Sequence, residues 1–590
     1  MKKIFLIVIA LTTLMTSCNK FLSSENIYGK DLDSFYSNPK EINEALGALY
    51  TSMYGVDYGG DESMMANALD DITLGGGGAG GEEDSAYADA FRNRGVDFYH
   101  EMWTDTYEGV YRANAIIERL TASDFAINEY FSTEAKAKEY ISQVLGEAYF
   151  MRGYLMYRAA RFFGGMPIIP KANSPRNVPR SSYTETFQYI ISDFKTAIDV
   201  FPSIAANRIA SSEYGHANRW IAMGYLARAY MFYTGYMTNI EKQATSEITL
   251  NAQAGSVNLT KDIVISYLED CRDNSGYSLV SKFGNLWAYS HLNYVASVYG
   301  DPNGDNLLPW AKANGLKWAG QDGFAPVIDG TTGNPEVMFS VRYGIGKYNT
   351  PAHVGTSDTN RLCIATGIRD NQKAPFFQGW GFFSVHKAFY ADWDDADERK
   401  AATVYAIGDP EHRTNGYKEP SSHQYTGLLQ KKYTGMHISG TRGVMSQFCY
   451  VYDITSVDNK VQLGHALDFT LMRFSDILLM HSELTETADG MNQVRNRAGL
   501  SDIAYSLDAL KNERMYEFAY EALRWFDLVR WGDINVPANN YFETEITVKN
   551  NKVDTKYSVS YPSAQKGLLP VPETEISLSK GVYKQNPGWN

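Results

Sequence analysis

A row of charged side chains near the C-terminal end of the sequence has the types and spacing that could do chemistry. Within Asn512–Gly532, the row consists of Glu521, Arg524, Asp527 and Arg530, spaced three residues apart, with Trp525 beside Arg524. Carboxylates next to guanidinium groups could exchange protons in an active site. The same spacing makes opposite charges neighbours on a helix surface, where each pair adds about 0.2–0.5 kcal/mol of stability. The row is therefore either an active site or part of an ion-paired core helix.

A helix must position this row in either case. Apolar residues recur at steps of three or four and predict one continuous helix over Asp508–Arg530. They are Met515, Phe518, Ala522, Trp525, Phe526 and Val529. If the row belongs to a core helix, Arg524→Ala lowers stability by about 1–3 kcal/mol when its partner carboxylate is buried. Ligand specificity would then stay unchanged.

The rest of the sequence predicts a mostly helical chain with a few strands. Further helices are expected over Glu41–Tyr54, Val96–Leu120, Thr133–Gly164, Tyr183–Phe201, Gly215–Tyr236, Lys261–Leu268, Phe469–Thr485 and Gly490–Leu500. In several of them small residues alternate with aromatics, which is typical of helix pairs of tetratricopeptide type. Val337–Tyr343 reads as a strand and Thr544–Tyr561 as a hairpin around Asn550-Asn551.

Two stretches lack this periodicity and read as loops. Gly55–Gly95 contains the glycine run Gly75–Gly81, interrupted only by Ala79. No lysine follows the run in the position that a phosphate-binding loop requires, so we predict a surface loop. The second stretch, within Lys261–Ala388, is rich in Gly, Asn, Asp and aromatic residues, and so many aromatics argue against disorder.

Composition narrows the classes of ligand. The 590 residues include 42 Tyr, 28 Phe and 10 Trp, and the formal net charge is −14 with no basic run. Nucleic acid is therefore not an expected partner. The excess of tyrosine favours aromatic platforms on the surface.

The N-terminus has the pattern of an export signal. Lys2 and Lys3 precede the short apolar stretch Ile4–Leu14, and Ser17 stands directly before Cys18. The stretch is too short to span a bilayer. It resembles a bacterial lipoprotein signal over residues 1–17, in which Cys18 becomes the lipid-modified first residue. Met15 departs from that pattern, and an ordinary signal peptide cleaved elsewhere is the alternative.

Sequence motifs for metal sites or hydrolysis are weak or absent. Cys271, Cys363 and Cys449 form no C-x-x-C pair and are expected to be buried thiols. Acidic residues crowd Asp392–Glu398, which reads as a solvated turn, with a structural calcium site as the alternative. The sequence contains neither G-x-S-x-G nor H-E-x-x-H. The sequence therefore gives no positive signal for a serine hydrolase or a zinc protease, and we expect no cofactor.

Several segments, taken in order, resemble the SusD/RagB family of outer-membrane nutrient-binding lipoproteins. After Cys18 they are Arg152–Ile168, Ala217–Phe232, Leu471–Glu483, Asn492–Leu500, Glu513–Gly532, Leu568–Ile576 and Gln585–Trp589. The resemblance implies one SusD-like domain over 18–590, mostly α, built on tetratricopeptide-like helix pairs with long irregular loops and a few short strands. The scaffold would cover about 41–237 and 384–532, with variable ligand-binding loops at about 55–95 and 270–383. A C-terminal hairpin and tail would occupy 533–590.

The resemblance also implies a function without catalysis. Such a protein captures glycans at the outer membrane, held there by its lipid, and passes them to a SusC-like TonB-dependent transporter. The family's shared motifs lie on the scaffold, so they carry over no binding residue. A protein of the same architecture that binds peptides is the first alternative, and a lipid-anchored glycan hydrolase is the second.

Candidate binding residues therefore come from physical chemistry. Sugar rings stack their C–H faces on aromatic rings, and their hydroxyls bond to Asp, Asn and Arg. For stacking, the sequence points to Trp287, Tyr289, Trp310 and Trp318. For polar contacts, it points to Asp57, Asp70, Asp71, Arg92 and Arg369.

Overall fold

The computed structural model describes most of the chain. The described residues are 35–55, 61–78, 84–92, 97–123, 125–175, 177–252, 255–291, 308–320, 333–343, 360–369, 376, 379–407, 418–435 and 467–589. Cys18, Asp57 and Cys449 lie outside them. Cys271 and Cys363 are buried, as predicted.

Helices dominate the described residues. They are α1 Pro39–Tyr50, α2 Glu62–Leu69, α3 Asp84–Asp89, α4 His100–Leu120, α5 Glu134–Phe163, α6 Tyr183–Val200, α7 Arg219–Asn239, α8 Lys261–Asn274, α9 Pro309–Ala313, α10 Arg361–Ala365, α11 Lys387–Asp392, α12 Glu398–Thr403, α13 Phe474–Thr485, α14 Asp489–Arg497, α15 Leu507–Glu517, α16 Arg524–Trp531 and α17 Glu573–Leu578. Within the ranges given above, no helix is long and apolar enough to cross a membrane.

The strands are short. They are β1 Thr73–Gly76, β2 Glu247–Ala252, β3 Gly255–Thr260, β4 Val337–Val341, β5 Phe382–Val385, β6 Val404–Ala406, β7 Leu428–Gln430, β8 Phe469–Arg473, β9 Ile546–Asn550 and β10 Val553–Tyr557. One antiparallel sheet has the order β1-β5-β7-β6, and β4 pairs with β8. The predicted hairpin is confirmed as β9–β10, and a second hairpin, β2–β3, was not predicted.

Consecutive helices from α4 to α8 pack against one another, as expected for helix pairs. Aromatic rings fill the space between them: Phe150 and Tyr154 on α5 each contact Tyr225 on α7 edge-on. Phe339 of β4 packs on the same rings. The alternation of small and aromatic residues in the sequence thus gives close helix contacts with aromatic filling, and the helix-pair prediction is confirmed.

The glycine run is not a surface loop over its described part. Thr73–Gly76 forms strand β1, which is buried along its whole length. A Cβ at Gly75 would lie 2.5 Å from the carbonyl oxygen of Ser85, and one at Gly76 would lie 2.6 Å from that of Gly381. Gly76 also has φ +70°, a conformation that favours glycine. The glycines therefore permit close backbone packing, which corrects the loop prediction.

The predicted helix over Asp508–Arg530 is broken in the middle. Helix α15 ends at Glu517 and α16 begins at Arg524, with Tyr520 and Ala522 at positive φ between them. In a continuous helix the carbonyl of Glu517 would accept the N–H four residues on. Here it accepts from Lys432 Nζ at 3.1 Å and Arg473 Nη2 at 3.2 Å. Hydrogen bonds from two buried cationic side chains thus take the place of the backbone hydrogen bond that would continue the helix.

The prediction of a helix over Phe469–Thr485 is also partly wrong. Phe469–Arg473 is strand β8, and the helix begins at Phe474. An apolar run of this kind suits a buried strand as well as a buried helix, so its periodicity alone does not separate the two.

Candidate functional site

Every member of the charged row Glu521, Arg524, Asp527 and Arg530 forms at least one ion pair. All four members are buried. Glu521 pairs with Arg473 and Lys432, Arg524 with Asp71, Asp527 with Arg514 and Arg530, and Arg530 also with Glu483. Burial alone would raise the pKa of Asp527, but the guanidinium groups of Arg514 and Arg530 hold it below its usual value. Groups held in this way stabilise the scaffold, which favours the ion-paired helix over the active site.

Two predicted sugar-binding carboxylates lie in the same core. Asp71, 3% exposed, accepts two hydrogen bonds from Arg524 at 2.8 Å. Asp70 is also buried, and both burial and the neighbouring Asp71 raise its pKa well above the ordinary value. The structure thus corrects the expected exposure of these two residues. Arg92 is exposed, and Asp57 lies outside the described residues.

Three of the four predicted stacking residues are core side chains. Trp287 is 3% exposed, Tyr289 is 1% and Trp318 is 2%. The hydroxyl of Tyr289 donates to the carbonyl of Ala402 at 2.7 Å, which holds the ring inside. The expectation that these three rings form an exposed platform is therefore corrected. Aromatic content by itself does not separate a platform from a core.

Trp310 and Arg369, the other two predicted contact residues of this region, are partly exposed to solvent. Trp310 on α9 is half-buried, with Lys431 Nζ 4.4 Å from the centre of its ring. Arg369 is also half-buried and donates to the carbonyl of Trp380 at 3.1 Å. Trp310, Arg369 and the half-buried Trp380 adjoin stretches that lie outside the described residues. Their contact with a ligand stays a prediction.

The structure assembles a polar and aromatic cluster that the sequence reasoning missed. The half-buried rings of Tyr54 and Tyr343 lie 5.5 Å apart, centre to centre. Arg342 is exposed beside them, and its carbonyl accepts a hydrogen bond from the Tyr54 hydroxyl across a separation of 288 residues. Asp468 accepts from the Tyr343 N–H at 3.1 Å and lies 3.6 Å from Arg342 Nε. We refer to these four residues as the tyrosine cluster.

Next to this cluster lies a cleft of about 420 Å³, its open mouth included. It is lined by Ala206, Ile209, Glu213–His216, Asn218, Tyr277 and Val337–Ser340. Arg342 separates the cleft from the tyrosine rings, because its Nη1 donates to the carbonyl of Tyr214 at 2.8 Å and its side chain packs on Gly215.

A hydrogen-bond network orients His216 at the mouth of the cleft. Its Nδ1 lies 2.8 Å from Glu147, a carboxylate that also accepts from the Tyr50 hydroxyl at 2.6 Å. The Tyr50 hydroxyl in turn accepts from the N–H of Ala217 at 2.8 Å. The hydrogen bond to Glu147 raises the pKa of His216 against the opposing effect of burial.

Sequence offered only a weak signal for these residues. Arg342 and Tyr343 are the last two residues of the predicted strand, and Tyr54 ends the first predicted helix, so each stands next to an irregular stretch. Loops at the ends of rigid elements often carry binding residues. Position at an element boundary is thus the feature that could have selected them over the predicted tryptophans.

The acidic segment shows no arrangement for a metal. Asp397 is buried, caps α12 and pairs with Arg399, whereas Asp392, Asp394 and Asp395 are exposed. Within the described part of the chain, no group of three His, Cys, Asp or Glu side chains is placed to hold a metal ion. Calcium binding at this segment stays a prediction.

The fold defines a mostly helical protein on tetratricopeptide-like helix pairs, and comparison with known sequences identifies its family. A family model described as "SusD family" matches residues 371–589, and one described as "Starch-binding associating with outer membrane" matches residues 27–231. The chain belongs to the SusD/RagB family. A SusD-like protein of Bacteroides ovatus is 22% identical over 89% of this chain and 82% of its own length. The SusD-like protein P2 of Formosa agariphila is 21% identical over 94% of both chains.

Solved structures show the same fold. Surface glycan-binding protein A from Bacteroides fluxus matches with a TM-score of 0.66 at 20% identity, covering 93% of this chain and 99% of its own. Its counterpart from Bacteroides thetaiotaomicron, in complex with laminarihexaose, matches with a TM-score of 0.63 at 19% identity over 93% and 99% of the two chains. A laminarin-binding SusD-like protein gives 0.66 at 19% identity over 94% and 100%.

Proposed function

We propose that this protein is a non-catalytic cell-surface lipoprotein that captures glycans and delivers them to a SusC-like TonB-dependent transporter. The observation that carries the proposal is the tyrosine cluster. Two partly exposed rings lie 5.5 Å apart and tilted by 53°, with the exposed guanidinium of Arg342 beside them and the buried carboxylate of Asp468 behind it. A sugar ring has the matching chemistry, since its C–H face stacks on aromatic rings and its hydroxyls accept hydrogen bonds from Arg.

The names of the structural neighbours support the same class of ligand. Several are surface glycan-binding or laminarin-binding proteins, and they share the fold over nearly the whole chain. They do not identify the glycan for this chain, because the sequence identity is 20% or lower among them. The choice of glycan belongs to the irregular segments around the tyrosine cluster.

Binding can be tested with soluble protein that begins after Cys18. Calorimetry against laminarihexaose, cellohexaose, maltohexaose, xylohexaose and mannohexaose should give saturable binding to at least one. Tyr343→Ala should weaken it about tenfold, since an aromatic contact contributes about 0.5–1.5 kcal/mol beyond area burial. Tyr130→Ala is the control, because Tyr130 is 51% exposed and lies on a different surface segment. Equal affinities of the two variants would refute the assignment of the site.

The same samples separate the alternatives. Release of reducing sugar from any hexasaccharide would show a hydrolase and refute the non-catalytic assignment. Binding of an unstructured peptide library with no binding of glycans would favour the peptide alternative.

Anchor and partner need experiments in cells. Radiolabelled fatty acid should label the full-length protein and should not label Cys18→Ala, and persistent labelling of that variant would refute the anchor. Crosslinking in outer membranes should recover a TonB-dependent transporter with the protein, whereas recovery of the monomer alone would contradict the partner.

A further inference from the structure

The turn over residues 213–216 holds one member of the tyrosine cluster in place. Arg342 Nη1 donates to the carbonyl of Tyr214 at 2.8 Å. A Cβ at Gly215, which has φ +96°, would lie 2.5 Å from Cδ of Arg342, so glycine is needed for this side chain to lie against the turn. The carbonyl of Arg342 in turn accepts a hydrogen bond from the Tyr54 hydroxyl. Movement of the turn would therefore displace the guanidinium that stands beside the tyrosine rings.

His216, the last residue of this turn, is joined to a buried carboxylate on α5. Its Nδ1 lies 2.8 Å from Oε2 of Glu147, whose side chain is 2% exposed. The same oxygen accepts from the hydroxyl of Tyr50 at 2.6 Å, and the other oxygen accepts from Nε2 of Gln143 at 2.8 Å. Among the described residues, no Lys or Arg lies within ion-pair distance of Glu147, so a protonated His216 supplies its compensating charge.

The same hydrogen bonds reach the second element of the tyrosine cluster. Tyr50 is the last residue of α1 and stands one 3₁₀ turn before Tyr54. Its hydroxyl accepts from the N–H of Ala217 at 2.8 Å, and its ring packs edge-on against the His216 ring with 5.6 Å between the ring centres. One network thus joins the turn to the helix end from which Tyr54 extends.

The charge on His216 decides how firmly this network holds. The protonated ring donates a charge-assisted hydrogen bond to the Glu147 carboxylate, and such a bond is about twice as strong as a neutral one. The neutral ring leaves a buried carboxylate without a cation, which is unfavourable unless water reaches it. The turn is half-buried at residues 214–216, so its movement can admit water without separating the helices.

Titratable and charged groups of the neighbouring elements act on His216. The hydrogen bond to Glu147 of α5 is the largest influence and raises the pKa of His216, and the charge of Glu213 raises it further. Burial and the charge of Arg342 lower it, and the net pKa is above the ordinary value of 6.5. Tyr50 of α1 presents a neutral hydroxyl, because burial raises its pKa well above the ordinary value. The ring therefore changes charge on the alkaline side of its ordinary pKa.

We propose that His216 and Glu147 are positioning residues for the tyrosine cluster, and that the protein binds its glycan more tightly when His216 is protonated. The inference rests on the proposed glycan-binding function and deepens it by naming a control of the same site. In the protonated state the turn holds Arg342 beside the tyrosine rings. In the neutral state the turn loosens, a smaller fraction of molecules has the binding arrangement, and the apparent affinity falls by that fraction.

Calorimetry from about pH 5 to pH 9 at constant salt tests the inference, because histidine changes charge in this range. The ligand is the hexasaccharide of the panel that binds most tightly. The wild-type dissociation constant should rise about fivefold as the pH passes the raised pKa of His216, the difference between a charge-assisted and a neutral hydrogen bond. His216→Gln keeps a donor for Glu147 without a charge, so it should bind at every pH with the weaker affinity. Glu147→Gln, which removes the carboxylate, should flatten the profile as well.

A matched control and a reciprocal measurement separate this role from a general effect on the fold. His100 forms a similar pair with Glu575 at 2.9 Å, on helices that carry no member of the tyrosine cluster, so His100→Gln should keep the wild-type profile. Because protonation and binding are linked, saturating hexasaccharide should raise the pKa of His216 by about 0.7, the logarithm of the fivefold change. NMR titration of histidine-labelled protein measures this pKa, and a residue that only stabilises the fold would show no such change.

The outcomes distinguish the inference from the proposed function. A wild-type dissociation constant that is independent of pH, or a His216→Gln variant that keeps the wild-type profile, would overturn the inference alone. The same holds for a His216 pKa that does not change on binding, and for a His100→Gln variant that loses the pH dependence. No binding of any hexasaccharide at any pH would overturn the proposed function, and the inference with it.

Discussion

Replacing Arg524 by alanine tests how the ion-paired core supports the fold. In the structure, Arg524 Nε and Nη2 each donate to a different oxygen of Asp71 at 2.8 Å. The Asp71 side chain has no exposed surface, and its other donor is the N–H of Tyr541 at 3.1 Å. The variant would leave a buried carboxylate with one hydrogen bond, directly beside the buried Asp70.

The expected loss of folding stability in Arg524→Ala follows from that geometry. Breaking a buried ion pair by removing one partner costs about 3–5 kcal/mol, because the remaining charge stays desolvated. This exceeds the 1–3 kcal/mol expected from sequence, since the structure shows a bidentate contact and a partner with no exposed surface. Removing both partners should cost less than the sum of the single changes, because no charge is then left unpaired.

Urea unfolding of wild type, Arg524→Ala, Asp71→Ala and the double variant measures the coupling directly. Lys40→Ala is the control, because Lys40 forms an exposed pair with Glu44 at 3.8 Å and its loss should not change the midpoint measurably. Additive costs in the double variant would refute the argument. A changed choice of hexasaccharide with unchanged stability would restore the helix as a candidate binding site.

Two further predictions concern backbone packing and pH. Gly76→Ala should lower the urea midpoint more than Gly427→Ala does. Both glycines have positive φ, which costs alanine about 1 kcal/mol of strain. Only at Gly76 would the new Cβ also meet a carbonyl oxygen, that of Gly381 at 2.6 Å. Equal shifts of the urea midpoint in the two variants would refute this steric argument. His216 should contribute stability that is complete below about pH 6.5, its unfolded pKa, and lost as the pH rises through its raised folded pKa. His216→Gln should flatten that part of the midpoint-against-pH curve, and an unchanged curve would contradict the link to Glu147.

The local sequence pattern was sufficient to predict the long helices. Helix α5 begins at Glu134, one residue after the predicted start, and ends at Phe163 before Gly164, which has φ +79°. Capping and periodicity act within a few residues of each other, so they can be read from sequence. The same holds for the hairpin at Asn550-Asn551.

Local pattern failed where distant side chains decide the outcome. The periodicity of Asp508–Arg530 is helical, yet Lys432 and Arg473 take the Glu517 carbonyl and the helix breaks. Trp287 has the composition expected of a binding platform, but it packs against Tyr433, another core ring. Neither contact can be predicted from the sequence around Glu517 or Trp287, because the partner residues lie far away in the chain.

The sequence by itself determined the helical class and the family, because those depend on local spacing and on motifs in a fixed order. Only the tertiary structure decided which aromatic and charged side chains reach the surface. Burial depends on what packs against each residue, and the partners come from distant parts of the chain. Thus Asp71 became the partner of Arg524, while Tyr54 and Tyr343 met at the edge of the cleft.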